Sequence, residues 1–142
     1  MSELLEISAD LPVEHVPAGS VLIAEGDDTR RMYVLVSGSV SVERDGVAFA
    51  TIAHAGAVFG EMAVVLDKPA TATVRAASDV EVRVIDDPEA FLRDRPGAAY
   101  AILRTTATRL DGLTQYLVDV KQQFAGLDGH LGMVGRILDT LV

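Results

Sequence analysis

The sequence predicts a mainly β fold with α-helices, in which a jelly-roll β-barrel is followed by a long C-terminal helix. In the first part of the chain, short strand-forming runs recur about every 8 to 12 residues and are separated by glycine-bearing turns. The dipeptide Asp45-Gly46 between two such runs is typical of a β-hairpin. Later in the chain, a stretch without proline has apolar residues three and four positions apart, which indicates a helix.

The strand-forming runs follow one another between residues 13 and 85. Residues 1–12 are expected to form a lead-in, either a loose turn or an extended segment. The runs then occupy residues 13–16, 21–23, 32–36, 40–43, 47–52, 71–77 and 80–85. Turn signals at Pro17-Ala18-Gly19 and Glu25-Gly26-Asp27 separate the first three runs, as a barrel of short strands requires.

Helices are predicted after the last strand. Asp86-Asp87-Pro88 indicates a helix start, because acidic residues suit the positive helix end and proline suits the first turn. Arg95-Pro96-Gly97 ends this helix, and a long helix follows over residues 98–127. We therefore divide the chain into a lead-in (1–12), one domain that includes the long helix (13–127) and a short terminal helix (128–142). The glycines of the tail, every third residue from Gly126 to Gly135, favour close packing over a phosphate loop.

Residues 58–76 place several elements in a short space. A strand end at 58–59 is followed by Gly60, a helix-compatible segment over 61–66, a break at Pro69 and a new alternating run. Glycine permits a close backbone approach, and the first N–H groups of a helix have no partner within it. The stretch is therefore a generic candidate site for an anion.

Composition and charge disfavour several classes of function. A formal charge of -9 over 142 residues argues against DNA binding, which depends on Lys and Arg neutralising phosphates. The chain has no Cys, no signal-like N-terminus and no apolar run of about 18 residues, so we expect a cytoplasmic protein that does not enter a membrane. The initial Met favours a free protein over a fragment.

Nothing in the sequence indicates an enzyme or a metal site. His15, His54 and His130 are scattered and have no metal-ligand or catalytic-triad spacing. A cupin-type enzyme, which shares the jelly roll, needs clustered His and Glu ligands that these residues do not supply. We therefore expect no catalytic residue, no metal and no cofactor.

A family resemblance emerges from motifs that occur in order along the chain. They are the turn glycines Gly19, Gly26, Gly38 and Gly56, the run Phe59-Gly60-Glu61-Met62-Ala63-Val64, and the run Pro69-Ala70-Thr71-Ala72-Thr73-Val74 followed by Ala76. Over residues 13–125 the chain resembles the cyclic nucleotide-binding domain of catabolite-activator-type regulators, cAMP-dependent kinase regulatory subunits and cyclic-nucleotide-gated channels. The runs on either side of Lys68 correspond to the phosphate-binding cassette of that family.

The resemblance implies roles for individual residues. Glu61 would accept a hydrogen bond from the ribose 2′-hydroxyl, the N–H groups of Gly60, Met62 and Ala63 would face the phosphate, and the Thr71 hydroxyl would donate to it. Taken without the motif, Glu61 is more simply a carboxylate that satisfies its own helix end. Where the family has the arginine that pairs with the cyclic phosphate, this chain has Ala70.

Two functional interpretations follow from Ala70. In the first, the chain is a non-catalytic regulatory module that has lost normal affinity for cAMP and cGMP and acts on a protein partner. In the second, it is a genuine cyclic nucleotide receptor that uses backbone amides, Glu61 and a substitute cation. Arg30 and Arg31 lie in a loop that can fold over the site, whereas Lys68 and Arg75 are less favourably placed.

The long helix carries an apolar seam with alternating spacings of three and four. Its members are Leu110, Leu113, Leu117, Val120, Phe124 and Leu127. The seam either packs on the barrel of its own chain or pairs two chains, and the resemblance implies a homodimer because family members commonly dimerise through this helix. No DNA-binding domain follows it in this sequence, unlike in catabolite-activator-type proteins.

Overall fold

The structure, a computed structural model, describes residues 3–123 and 130–141. The chain forms two compact units, Met1–Ala101 and Ile102–Val142. The first unit holds the strands, three short helices and the start of a long helix. The second unit holds the rest of the long helix and a terminal helix.

Eight strands within the described residues form a jelly-roll barrel. They are β1 (Val13–Val16), β2 (Val21–Ile23), β3 (Met32–Ser37), β4 (Val40–Arg44), β5 (Val47–Ile52), β6 (Val58–Phe59), β7 (Thr73–Ala76) and β8 (Val80–Ile85). Two four-stranded antiparallel sheets have the orders β1-β8-β3-β6 and β2-β7-β4-β5. The predicted fold class is confirmed.

The core of the barrel consists of apolar side chains on the inner faces of the two sheets. Leu35 and Val82 are completely buried, and Val74 packs into the same cluster from the other sheet. The rings of Tyr33 and Phe59 stack with their centroids 5.4 Å apart. Burial of this apolar surface is the main favourable term that holds the sheets together.

The hairpin between β4 and β5 turns at Asp45-Gly46, as predicted. Both residues have positive φ, 53° and 78°, which matches the type I′ turn whose twist suits a two-residue hairpin. The register shifts between Val42 and Glu43, because Val42 pairs with Ala50 and Glu43 pairs with Ala48. This β-bulge lies beside the last residue of β4, Arg44.

The lead-in predicted for residues 1–12 is instead partly helical, and this prediction is corrected. Residues Glu3–Ile7 form helix α1, which packs on β3. Arg95 donates to the carbonyl oxygen of Ile7 (2.6 Å) and pairs with both carboxylate oxygens of Asp10 (2.7 and 2.9 Å). Arg83 donates to the carbonyl oxygens of Ala9 and Leu11. Carbonyl groups at and beyond the end of α1 thus accept hydrogen bonds from two arginines that are distant in the sequence. A pattern of neighbouring residues does not reveal such contacts.

The remaining helices largely follow the prediction. Helix α2 (Glu61–Val65) lies in the predicted cassette. Helix α3 (Pro88–Asp94) is capped by Asp87, whose carboxylate accepts from the Ala90 N–H at 3.2 Å. The long helix α4 (Pro96–Gln123) begins two residues before the predicted start, because proline is tolerated in a first turn. The terminal helix is α5 (His130–Asp139).

Candidate ligand-binding site

The first half of the site is a tight turn between β6 and α2. Gly60 has φ +91°, and a Cβ at this position would collide with the carbonyl oxygen of Arg31 and lie 3.1 Å from Ile23 Cδ1. No side chain caps the start of α2 at Gly60. The turn therefore rests on the backbone at Arg31 and leaves the first helical N–H groups without a side-chain cap.

The short helix α2 presents two different sides. Glu61 and Ala63 are buried, whereas Met62, Val65 and Leu66 are exposed. Glu61 is only 8% exposed, which is unusual for a carboxylate and shows that its side chain is directed into the protein. Phe59, directly before the turn, belongs to the barrel core.

The second half of the site is the segment that leads into β7. Ala70 is half-buried and packs against the barrel core. Its N–H donates to the carbonyl oxygen of Asp27 and its own carbonyl accepts from the N–H of Gly26, both at 2.8 Å. The strand predicted over residues 71–77 is shorter in the structure, where β7 covers Thr73–Ala76.

The two halves of the site rest on the same part of the chain. Gly60 lies against Ile23, and Ala70 pairs with Gly26 and Asp27, just beyond β2. The structure thus brings the two predicted cassette runs to residues 23–27. The four predicted turn glycines, Gly19, Gly26, Gly38 and Gly56, have φ values between +84° and +91°.

The two loop arginines considered as substitutes at Ala70 are already ion-paired. Arg30 contacts Asp28 (2.8 Å) and Asp67 (2.6 Å), and its hydrogen bond to Asp67 is the main reason why the pKa of Arg30 is raised. Arg31 pairs with Asp86 at 2.8 Å. The charge of each of these two guanidinium groups is therefore balanced by a carboxylate.

Arg75 and Lys68 are also not arranged as a phosphate-binding arginine at position 70 would be. Arg75 pairs with Glu43 at 3.3 Å and donates to the carbonyl oxygen of Gly19. Lys68 is exposed, and its backbone N–H donates to the carbonyl oxygen of Ala63, which folds the loop back on α2. Among the residues considered from sequence, none places an unpaired guanidinium group at Ala70.

Arg44 is a cation near the cassette that the sequence analysis missed. Its Nε donates to the carbonyl oxygen of Thr71 at 2.8 Å, directly after Ala70. The two residues are 27 positions apart, and only the pairing of β4 with β7 brings them together. The signal that could have found Arg44 is the register of these two strands, which local patterns in the sequence do not reveal.

The apolar seam of α4 is partly exposed to solvent. Leu110 and Leu113 are 43% and 47% exposed, whereas Leu117 is buried and Val120 is half-buried. Phe124 and Leu127 lie outside the described residues. The part of the helix that carries Leu110 and Leu113 therefore presents apolar surface to solvent.

The described residues contain neither a metal cluster nor a membrane-crossing helix. Over residues 3–123 and 130–141, no group of three or more His, Cys, Asp or Glu side chains is arranged to hold a metal ion. In the same ranges, no helix combines the length and apolar composition that a membrane crossing needs.

Comparison with known proteins identifies the family. Residues 13–93 match the family described as Cyclic nucleotide-binding domain, and because this is more than half of the chain, the chain belongs to that family. The cAMP-dependent protein kinase regulatory subunit of Aspergillus niger is 38% identical over 81 residues, which are 56% of this chain and 20% of the fungal protein. The chain thus spans about a fifth of that relative.

Solved structures share the fold. The catabolite activator protein of Thermus thermophilus superimposes with a TM-score of 0.68 at 24% identity, over 82% of this chain and 57% of that protein. The regulatory subunit of a cAMP-independent protein kinase A from Trypanosoma brucei gives 0.52 at 20% identity, over 57% of this chain and 30% of that protein. At these identities the likeness concerns the fold alone.

Proposed function

We propose that this chain is a cytoplasmic, non-catalytic regulatory module whose cassette no longer binds cAMP or cGMP with the affinity that an arginine at position 70 would give. Its output is contact with protein partners, including a second copy of itself. The observation that carries the proposal is Ala70, a small apolar side chain packed against the core at the position of the phosphate-binding arginine.

The missing arginine has a large expected effect on affinity. A bidentate guanidinium–phosphate contact contains two charge-assisted hydrogen bonds, each contributing about 1.5 to 3 kcal/mol. At about 1.4 kcal/mol per factor of ten, their loss weakens binding by roughly two to four powers of ten. A site of micromolar affinity would then have a dissociation constant of about 0.1 to 10 mM.

The surroundings of Ala70 support the proposal. Arg30, Arg31 and Arg75 are each held by carboxylates, so that recruiting one of them would break an existing ion pair. The trypanosomal regulatory subunit, described as part of a cAMP-independent kinase, shares the fold. The fold is therefore compatible with a regulatory role that does not depend on cAMP.

The second interpretation, a genuine cyclic nucleotide receptor with a substitute cation, is favoured by one observation. Arg44 reaches the backbone directly after Ala70 and is not ion-paired within the described residues. The two interpretations differ in the affinity that they predict for the wild-type chain, which is micromolar only in the second.

A thermal-shift experiment with Ala70→Arg tests the proposal. With 1 mM cAMP or cGMP, a micromolar site stabilises the folded chain by about 4 kcal/mol, while a 0.1 mM site stabilises it by about 1.4 kcal/mol. Because 1 kcal/mol corresponds to about 3 °C for a chain of 142 residues, we expect a Tm increase above roughly 10 °C for Ala70→Arg and below about 5 °C for wild type.

Ala70→Gln is the matched control for this experiment, because it adds a long side chain without charge. It should respond to nucleotide like the wild type. A wild-type increase as large as that of Ala70→Arg would contradict the proposal and favour the receptor.

The open seam on α4 supports the homodimer. Replacing Leu110 or Leu113 by Glu places a charge on the exposed apolar stripe and should shift the protein to monomers in sedimentation equilibrium. Gln115→Glu is the control, since Gln115 is exposed five residues beyond Leu110, on another side of the helix. A wild-type chain that is monomeric at high concentration would contradict this part of the proposal.

A further inference from the structure

Arg44 occupies a distinctive place at the end of β4. In the register of β4 and β7, Val42 lies opposite Val74 and Glu43 opposite Thr73, so Arg44 continues the ladder toward Ala72. Side chains alternate along a strand, so Arg44 shares a sheet face with Val40 and Val42, and Val40 belongs to the barrel core. Arg44 is thus the exposed end of a row that lines the barrel interior.

The contact with Thr71 holds the guanidinium group of Arg44 close to Ala70. The carbonyl oxygen of Thr71 accepts from Arg44 Nε at 2.8 Å. With 3.8 Å between successive Cα atoms, Nε lies at most about 9 Å from the Cα of Ala70.

Arg44 also has unused hydrogen-bonding capacity. A guanidinium group has five N–H donors, and the contact with Thr71 uses the one on Nε, which leaves the four on Nη1 and Nη2. Within residues 3–123 and 130–141, no carboxylate forms an ion pair with Arg44. The carboxylate of Glu25 lies close to the end of β4, because its Oε1 accepts from the N–H of Asp45 at 3.0 Å, but it forms no ion pair with Arg44.

We propose that Arg44 is the cation that contacts the anionic phosphate of a ligand in this cassette, in place of the residue missing at position 70. The contact is a single charge-assisted hydrogen bond from one Nη group, because Nε is held by the Thr71 carbonyl oxygen, and it is therefore weaker than the bidentate contact of an arginine at position 70. The inference rests on the proposed function, since it takes the cassette to be a weakened site for a phosphodiester anion. It adds that the remaining affinity depends on one residue of β4.

The test is an NMR titration of the full chain with cAMP and cGMP, which measures millimolar dissociation constants from amide shifts. Arg44→Gln removes the charge but retains a donor for Thr71, and should weaken binding about tenfold. Arg75→Gln is the matched control, because it removes the same charge from the adjacent strand. It should change the dissociation constant less than about twofold, since exposed charges outside the site are screened.

The dissociation constants of the wild type and of the two variants decide whether Arg44 contacts the phosphate. If Arg44→Gln binds nucleotide with the same affinity as the wild type, the inference is overturned. It is also overturned if Arg75→Gln loses as much affinity as Arg44→Gln, because that result would indicate a general effect of charge. Absence of wild-type shifts at about 10 mM nucleotide also overturns it, while leaving the proposed function intact. A micromolar wild-type dissociation constant contradicts the proposed function, and Arg44→Gln then still tests the inference separately. Unchanged amide shifts far from residues 70–73 establish that the variants are folded.

Discussion

Replacement of Gly60 by Ala tests how the cassette turn is held. A residue with a side chain at φ +91° is disfavoured by about 1 to 2 kcal/mol. At Gly60 the added Cβ also collides with the backbone carbonyl oxygen of Arg31, and backbone cannot move aside as a flexible side chain does. Overpacking of this kind adds about 1 to 3 kcal/mol. We therefore expect Gly60→Ala to lower the free energy of unfolding by about 2 to 5 kcal/mol.

Gly26→Ala separates the two contributions. Gly26 has nearly the same φ, +84°, but nothing lies within 4 Å of a Cβ placed there. It should lose only the conformational part, about 1 to 2 kcal/mol. In thermal denaturation the difference between the two variants corresponds to about 3 to 10 °C for 142 residues. Equal Tm values for the two variants would refute the close approach of Gly60 to Arg31.

Two further predictions concern helix ends. The hydrogen bond from Arg95 holds the pKa of Asp10 below its ordinary value, so the contribution of this pair to the stability of the fold is present above about pH 4 and is lost as pH falls through the lowered pKa. The Tm difference between wild type and Asp10→Asn should therefore shrink on acidification. A constant difference from pH 7 to pH 2 would contradict this prediction. Asp87→Ala removes the hydrogen bond that caps α3 at Ala90 and should lower the free energy of unfolding by about 1 kcal/mol. Glu89→Ala breaks only the exposed contact with Arg93 and should change the stability little, so equal losses in the two variants would argue against the cap.

The sequence predicted those parts of the fold that are determined by local pattern. The limits of β5 and β8 agree with the prediction, because alternating apolar residues and strong turn signals define them. Helix α1 was missed because its five residues have too few hydrogen bonds to be stable alone. The end of α1 is held by Arg95, which is distant in the sequence and donates to the carbonyl oxygen of Ile7.

The candidate site shows the same division. The runs around Gly60 and Ala70 were recognisable from consecutive residues, and the absence of the family's arginine at position 70 stays a prediction. The ion pairs of Arg30 and Arg31 and the approach of Arg44 to Thr71 were not, because each joins segments that are far apart in the chain. The site itself therefore stays a prediction from local sequence, whereas the charges around it became visible only in the structure.

The most direct test of the account is a calorimetric comparison of cAMP binding by the wild-type chain and by Ala70→Arg. We expect Ala70→Arg to bind cAMP at least about a hundredfold more tightly than the wild type, because it restores two charge-assisted hydrogen bonds to the phosphate. Wild-type binding in the micromolar range, within about tenfold of Ala70→Arg, would contradict the claim that the cassette has lost normal affinity for cyclic nucleotides.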